Sequence, residues 1–439
     1  MGIEGLTNII KSKAPHANMV VNITNFSNTR IAVDIEQWMV NNFFKVWEQV
    51  VSETDVAIED PDVDRACLWL IERLLEFTLK LMGYSIIPVF VFGGKAPAEK
   101  SGTKAKRNAD REKYLNNLKI GQEQMRNTPL IMRTAAMVME LRSLYNRALP
   151  YYSSEYKQMM KNVLFACGIP YLEGIGEGEK LCTMLCREGW VSAVFSNDSD
   201  NIAMGCPILI KNYAKTTIRQ GDRTIHQVEI VYTPYVYQAL NMTPEEFLDM
   251  CILMGCDFNK RVYMLGEVAA YKLIKQYSCF ENIPQVPASL EQGKNEITYD
   301  FNIDDEPDFN QFSDNNLTLI LDTTVTEPED SIKKKRTGPK KDGLYDLSSI
   351  NYQRCREIMR PEPVEKCCES GYFIPSDNPK YANTQLRKTI VEQYGFGSYW
   401  TRFKYYADNP IVINPERIIH PTAYPNIEII YDTDISLNI

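Results

Sequence analysis

The sequence predicts an α/β protein with a mostly parallel central sheet flanked by helices. Short apolar runs of strand length alternate with helical periodicity between residues 31 and 211, the pattern of strands joined by helical crossovers. Several of these segments lead into carboxylates. In an open α/β sheet the carboxyl ends of the strands are where ligands bind, so the acids and the fold class point to one place.

Ile31-Ala32-Val33 reads as a short buried strand ending at Asp34. Residues 66–83 carry Leu68, Ile71, Leu74, Leu75 and Leu79 at helical spacing. The strand Ile86-Ile87-Pro88-Val89-Phe90-Val91-Phe92 follows and runs into Gly93-Gly94-Lys95. A polar, basic stretch from 95 to about 120 gives way to helical patterning up to Ala148. Pro150-Tyr151-Tyr152 breaks it, and a new helix is predicted over Glu155–Ala166. A helix over 177–187 and strands at 191–195 and 208–211 come next. Thr243-Pro244-Glu245-Glu246 is a helix start, with Thr243 as cap, Pro244 at the first helical position and Glu246 closing a capping box. That helix is predicted to end near Gly255, with Asp257 just beyond, and another to cover Glu267–Tyr277. Residues 283–345 are acidic, Asn-rich and then basic at Lys333–Arg336, a composition expected to be disordered. Order is expected to return at Leu347, and residues 411–432 alternate as a strand would.

Composition bounds the class. The chain has 439 residues, 44% hydrophobic and 24% charged, as a globular protein does. No apolar run reaches membrane-span length, no basic-then-apolar leader suggests secretion, and Leu6 stands where a myristoylation motif requires Ser or Thr. The eleven cysteines are expected to be reduced thiols. Cys182 and Cys186, or Cys367 and Cys368, have the residue type of zinc ligands but lack matching His or Cys pairs, which favours buried thiols. Only three histidines exist, which disfavours chemistry built on a histidine base. The net charge of −9 is unfavourable for a nucleic-acid binder, but residues 295–330 hold eleven acids and no Lys or Arg, and without them the remainder is +2. Lys95–Lys113 is locally basic, and local charge sets steering.

Asp34, Glu177, Glu179, Asp198, Asp200 and Asp257 are the candidate site. An Asp198/Asp200 pair leaving a strand can point both side chains the same way, while Glu177 and Glu179 open a helix, where acids also favour the dipole. Taken singly, each acid is explained by capping a helix or turning a loop. Together they would repel one another and retain protons unless divalent cations such as Mg²⁺ neutralised them. Gly174-Ile175-Gly176-Glu177-Gly178 lacks dinucleotide-binding spacing, and its glutamates would repel a phosphate.

These motifs resemble the flap endonuclease/XPG family of 5′ structure-specific nucleases. Met1-Gly-Ile-Glu-Gly-Leu-Thr is similar to the family's opening, with Asp34 at its first catalytic Asp. Gly168 to Glu179 resembles the internal signature, Ser196-Asn-Asp-Ser-Asp200 the Asp-x-Asp element, and Leu253-Met-Gly-Cys-Asp257 the segment before its helix–two-turn–helix. Phe92-Gly-Gly-Lys95 with Lys100 and Ala105-Lys-Arg107 resembles the approach to the helical arch. The likeness covers residues 1 to about 280.

The resemblance implies a PIN-like flap-endonuclease core in residues 1–106 and 156–240, interrupted by a helical arch at 107–155. A helix–two-turn–helix follows at 241–282, then the 283–345 insert and a C-terminal extension at 346–439. It implies metal ligation by Asp34, Glu177, Glu179, Asp198, Asp200 and Asp257, with two Mg²⁺ ions for which Mn²⁺ can substitute. Asp34, Glu177, Lys100 and Arg107 are the implied catalytic residues, the two cations neutralising the scissile phosphate. Gly2, Trp38, Lys95, Lys100, Lys106, Arg107 and Gly266 are the implied nucleic-acid contacts.

Three departures stand out. Gly93 replaces a metal-site Asp, Val40 replaces a base-stacking Tyr for which Trp38 is the substitute, and the Gly-x-Gly turn keeps Gly266 but has Met264. Glu36 is a possible but less expected replacement for the missing carboxylate, a solvated side chain being the blander reading. Gln393-Tyr-Gly-Phe396-Gly-Ser-Tyr399-Trp400 is a degenerate version of a sliding-clamp motif, with local packing the more expected reading. The expected protein is a monomeric Mg²⁺-dependent nuclease cutting branched or flapped DNA in replication or repair, away from membranes, in the nucleus or cytoplasm. The alternatives are a catalytically impaired, nucleic-acid-binding homologue, motivated by Gly93, and an RNA 5′ exonuclease using related chemistry.

Overall fold

The computed structural model describes residues 2–150, 153–220, 223–259, 262, 265–284, 347–348, 350–369 and 379–408. Met1–Ile283 with Ser349–Ile439 form one compact unit and Pro284–Ser348 a second. Of the second, only Pro284, Leu347 and Ser348 are described. Almost all of the expected disordered insert, the basic run Lys333–Arg336, the alternating 411–432 segment and Met264 lie outside the described residues.

The first half of the chain forms α1 (Leu6–Lys13), β1 (Asn18–Asn22), β2 (Thr29–Asp34), α2 (Ile35–Glu53), α3 (Val63–Gly83), β3 (Ile86–Phe92), α4 (Ser101–Asn127), α5 (Ala135–Arg147) and α6 (Ser154–Cys167). It continues as β4 (Tyr171–Glu173), α7 (Gly178–Arg187), β5 (Ala193–Phe195), α8 (Asp200–Ala203), β6 (Ile208–Gln220), β7 (Arg223–Tyr232), α9 (Thr233–Leu240), α10 (Pro244–Met254) and α11 (Glu267–Tyr277). After the insert come α12 (Tyr352–Met359), α13 (Val364–Cys367), α14 (Thr384–Gln393) and α15 (Gly397–Asp408).

The seven strands form one sheet in the order β1-β7-β6-β5-β2-β3-β4. β2 runs parallel to β3 and β5, β3 to β4, and β5 to β6, while β7 is antiparallel to both of its neighbours. The predicted mixed, mostly parallel α/β architecture is therefore observed. From β2 the chain moves outward through β3 to β4, then returns to β5 and β6 on the other side of β2. This creates a topological switch point beside β2.

The main core lies between the sheet and the helices. It joins Trp38, Phe43 and Trp47 of α2, Leu70 and Leu74 of α3, Phe90 of β3 and Val163 of α6 to Val391 and Phe403 of the C-terminal helices. Sequence reasoning did not single out α2, although Asp34 caps it through Gln37 N–H and Trp38, Met39, Phe43, Val46 and Trp47 have helical spacing. The expected Thr243 capping box is present, with Thr243 Oγ1 and Glu246 Oε2 as reciprocal acceptors at 3.2 and 2.8 Å.

The segment 107–155, expected as an arch, holds most of α4, all of α5 and the start of α6, and helix begins at Ser101 rather than near 120. Lys, Ala, Arg, Glu and Asn line α4 on nearly all sides, and only Leu118 and Met125 are buried. Helix formers without an apolar stripe leave no period to read.

Candidate metal centre

The registers Asp34↔Val91, Val33↔Phe195 and Phe92↔Glu173 bring the carboxyl ends of β2, β3, β4 and β5 to one rim. Asp34 leaves β2 buried, accepting hydrogen bonds from Gln37 N–H (3.3 Å) and Ser196 Oγ (3.1 Å). Beyond β5, Asp198 N–H donates to Ser196 Oγ and Asp200 N–H donates to Asp198 Oδ1, each at 3.1 Å. This compact turn carries both aspartates into the rim. Glu179, in the first turn of α7, joins them: Glu179, Asp198 and Asp200 each offer an oxygen within 4.8 Å of the other two.

Asp200 is the most informative member. It is 1% exposed, and neither carboxylate oxygen has a hydrogen-bond partner among the described residues. Burial pushes its carboxyl well above the ordinary range, with the charges of Asp198 and Asp257 adding to the effect. Burial likewise raises Glu179 strongly and Asp198 to a lesser degree. It carries Asp34 up to about 7 against its two hydrogen bonds, with Asp198 and Glu36 contributing repulsion. A buried, unpaired carboxylate is unfavourable unless protonated or neutralised by a cation. An all-oxygen donor set of this kind fits Mg²⁺.

Cations close the opposite side of the rim. Lys100, just ahead of α4, bonds Glu177 Oε2 and reaches Glu179 Oε1 at 3.3 Å and Asp257 Oδ2 at 3.5 Å. Burial alone would lower its pKa, but Glu179, Glu177 and Asp257 outweigh that and hold the ammonium protonated. Arg107 Nη2 lies 3.2 Å from Asp257 Oδ2. Thr103 Oγ1 donates to the Asp257 carbonyl at 3.3 Å, tying the start of α4 to the rim.

At β3 the rim is built from glycine. A Cβ on Gly93 would meet Gly178 N at 3.2 Å and Glu36 Cγ at 3.8 Å. A Cβ on Gly94 would lie 2.0 Å from the Gly174 carbonyl oxygen. Gly94 N–H and Lys95 N–H donate to Gly176 and Ile175 carbonyls at 2.7 and 3.1 Å, which fixes this close approach.

All six expected acids thus reach the rim, with Glu177 and Asp257 paired to Lys100 and the other four in the buried part. Gly2 has φ +101°, and a Cβ there would lie 2.3 Å from Asp198 Oδ1. Ile3 N–H donates to Ser199 Oγ at 2.8 Å, so the N-terminal turn braces the Asp198–Asp200 loop. Lys95 and Lys106 are exposed and have no ion pair among the described residues. Gly266 lies immediately before α11.

One expectation is corrected. Trp38 is 5% exposed and packs on Phe77 at 5.7 Å in the core, so it does not present a ring for base stacking; the exposed residue of this turn is Val40. Phe396, Tyr399 and Trp400 are buried in the main core, so the degenerate clamp motif is packing and offers no anchor to a partner. Cys182 and Cys186 are buried thiols outside any disulfide, and none of the eleven cysteines joins a metal-like cluster among the described residues.

Sequence reasoning missed Ser196, whose hydroxyl links Asp34 to the Asp198 turn. Its place between β5 and the Asp-x-Asp element was the available signal. It also missed Lys157, whose Nζ is 2.8 Å from both Glu36 oxygens. Glu36 is accordingly an ion-paired residue and not a merely solvated one.

Comparison with known proteins matches residues 1–114 to the XPG N-terminal domain and residues 168–257 to the XPG I-region. Flap endonuclease 1 of Lodderomyces elongisporus is 28% identical over 391 residues, covering 88% of this chain and 93% of that protein. Flap endonuclease 1 of Cryptosporidium parvum is 25% identical over 402 residues, covering 87% and 75%. The structure of flap endonuclease-1 from Methanococcus jannaschii aligns with a TM-score of 0.47 at 17% identity, covering 89% of this chain and 96% of that one. With both family segments in order and carrying the rim acids Asp34, Glu177, Glu179, Asp198, Asp200 and Asp257, the chain belongs to the flap endonuclease/XPG family of structure-specific nucleases.

Proposed function

We propose that the protein is a Mg²⁺-dependent 5′ nuclease that hydrolyses phosphodiester bonds in branched or flapped DNA during replication or repair. The observation that carries this reading is the buried Glu179/Asp198/Asp200 cluster, with both Asp200 oxygens unpartnered among the described residues, directly beside the partly buried Lys100 at the foot of a long basic helix. Asp34, Glu179, Asp198 and Asp200 would hold the cations. When bound, divalent ions activate water and stabilise the leaving phosphate oxygen.

The chain's own groups do the rest. Ser196 and Gln37 N–H fix the Asp34 carboxylate. Lys100 and Arg107 are held at the rim by its acids, and with those acids neutralised they would turn to the scissile phosphate. Preorganised cations of this kind contribute most where charge develops. Lys95, Lys106 and the N-terminus of α11 supply contacts suited to backbone phosphates, which position a duplex without reading its sequence. Binding is expected to weaken steeply with salt.

Gly93 favours one other reading, a homologue that binds branched DNA without cutting it. Cleavage of a 5′-labelled flapped duplex with Mg²⁺ tests both, comparing wild type with Asp200→Asn. Cleavage that Asp200→Asn abolishes supports the nuclease. Salt-sensitive binding with no wild-type cleavage supports the binder instead.

A further inference from the structure

We propose that Glu36 supplies the carboxylate that the rim lacks at Gly93, as a metal-binding residue presented from the first turn of α2 and held ready by Lys157. The proposal rests on the metal-dependent reading of the site. The space where a residue-93 side chain would start opens directly onto Glu36, whose Cγ would lie 3.8 Å from a Cβ at that position. Glu36 follows Asp34 by two residues, and its charge is felt at the Asp34 carboxyl. A glutamate is one methylene longer than an aspartate, which suits a ligand arriving from the neighbouring helix.

The β3 end shows why the acid would come from elsewhere. Gly93 and Gly178 approach so closely that a Cβ on Gly93 would meet Gly178 N at 3.2 Å. Restoring an acid there displaces the turn that carries Glu177 and Glu179 by a few tenths of an ångström.

Lys157 gives Glu36 a counter-ion meanwhile. Its Nζ lies 2.8 Å from both Glu36 oxygens, and the two side chains are 34% and 38% exposed. Partly solvated pairs of this kind are weak, about 0–1 kcal/mol, and exchange readily for a stronger cation. The independent sign that a cation belongs here is Asp200, buried beside Glu179 and Asp198 with both oxygens unpartnered among the described residues.

Calorimetric titration with Mn²⁺ on the full chain, without DNA, tests the inference. Wild type is expected to bind, Asp200→Asn to lose binding, and Glu36→Gln to bind about tenfold more weakly. The double variant E36Q/G93D is expected to recover most of the lost affinity, because it returns a carboxylate to the same space. Wild-type affinity in Glu36→Gln overturns the proposal. Weak binding that E36Q/G93D does not restore also overturns it and leaves Glu36 a positioning role through Lys157. If wild type itself binds no Mn²⁺, the metal-dependent reading of the whole site fails, an outcome distinct from either.

Discussion

The carboxyl ends of β5 and β3 flank β2 on the same rim, yet they are built in opposite ways. At β5, a turn braced by Ser196 and by Gly2 and Ile3 carries two aspartates into the buried interior, where the Asp200 carboxylate has no hydrogen-bond partner among the described residues. At β3, the chain offers no acid, and its backbone packs against the Gly174–Gly178 turn closely enough to exclude a side chain at Gly94. One end stores electrostatic repulsion and the other is sealed by van der Waals contact. Buried repulsion of this kind opposes folding, so retaining it is a sign of function rather than stability. The glycines at the end of β3 sit in close packing beside the ion-paired Glu36.

The largest effect that would break this contrast comes from Asp200→Asn. Cleavage is expected to fall by roughly 10³-fold or more, since a charge-stabilising group is removed where it acts most directly. In chelator, the same variant is expected to melt roughly 2–6 °C higher than wild type, because an unpaired buried carboxylate is gone. Lower activity together with lower metal-free stability would contradict the account of β5.

Lys100→Met probes the counter-ion between the two ends. Cleavage is expected to fall roughly 10²–10³-fold. Metal-free stability should fall as well, as Glu177, Glu179 and Asp257 lose their shared cation. An unchanged melting temperature in chelator would show that the lysine does not compensate these acids.

At β3, Gly94→Ala should destabilise the fold by about 3 kcal/mol in urea unfolding, at the upper end for overpacking, because its Cβ would meet a backbone oxygen at 2.0 Å. Gly93→Ala, with 3.2 Å available, should lose only about 1 kcal/mol. Equal effects at the two positions would mean that the end is not closed as described.

The remaining test is a pH dependence. Asp34 has a folded-state pKa of about 7, above the unfolded value of about 3.9, so the folded chain holds this proton more tightly. Its contribution to stability is full below about pH 4 and is lost as pH rises through about 7. Melting in chelator should therefore decline over that window through this group, and Ca²⁺ should flatten the decline. A rising profile in chelator would remove burial as the governing cause at Asp34.

Much of the site was legible because its residues are local. Asp34 follows an apolar strand, Glu177 and Glu179 open a helix, and Asp198 and Asp200 are two apart, so each places itself by short-range geometry. Lys100 and Arg107 were legible only through their likeness to a family. Trp38 was misplaced because an aromatic at the right spacing says nothing about which way its helix turns; packing on Phe77 decided that. The clamp-like aromatics near Trp400 lie in the core, as their reading as local packing expected. The sheet was predicted from alternation, but β4 has three residues and is held by register with β3, too little signal to read alone.

By itself the sequence determined the alternation of strands and helices, the acids at the strand ends and the glycine at position 93. Periodicity, capping and strand composition act over a few residues and are written along the chain. Tertiary structure decided which acids share one buried cluster, that Asp200 has no hydrogen-bond partner among the described residues, that Lys100 bridges three carboxylates, and that Glu36 meets the space beside Gly93. Those outcomes depend on the order of strands across the sheet and on which side chains lose water together, and neither is encoded in the spacing of neighbours.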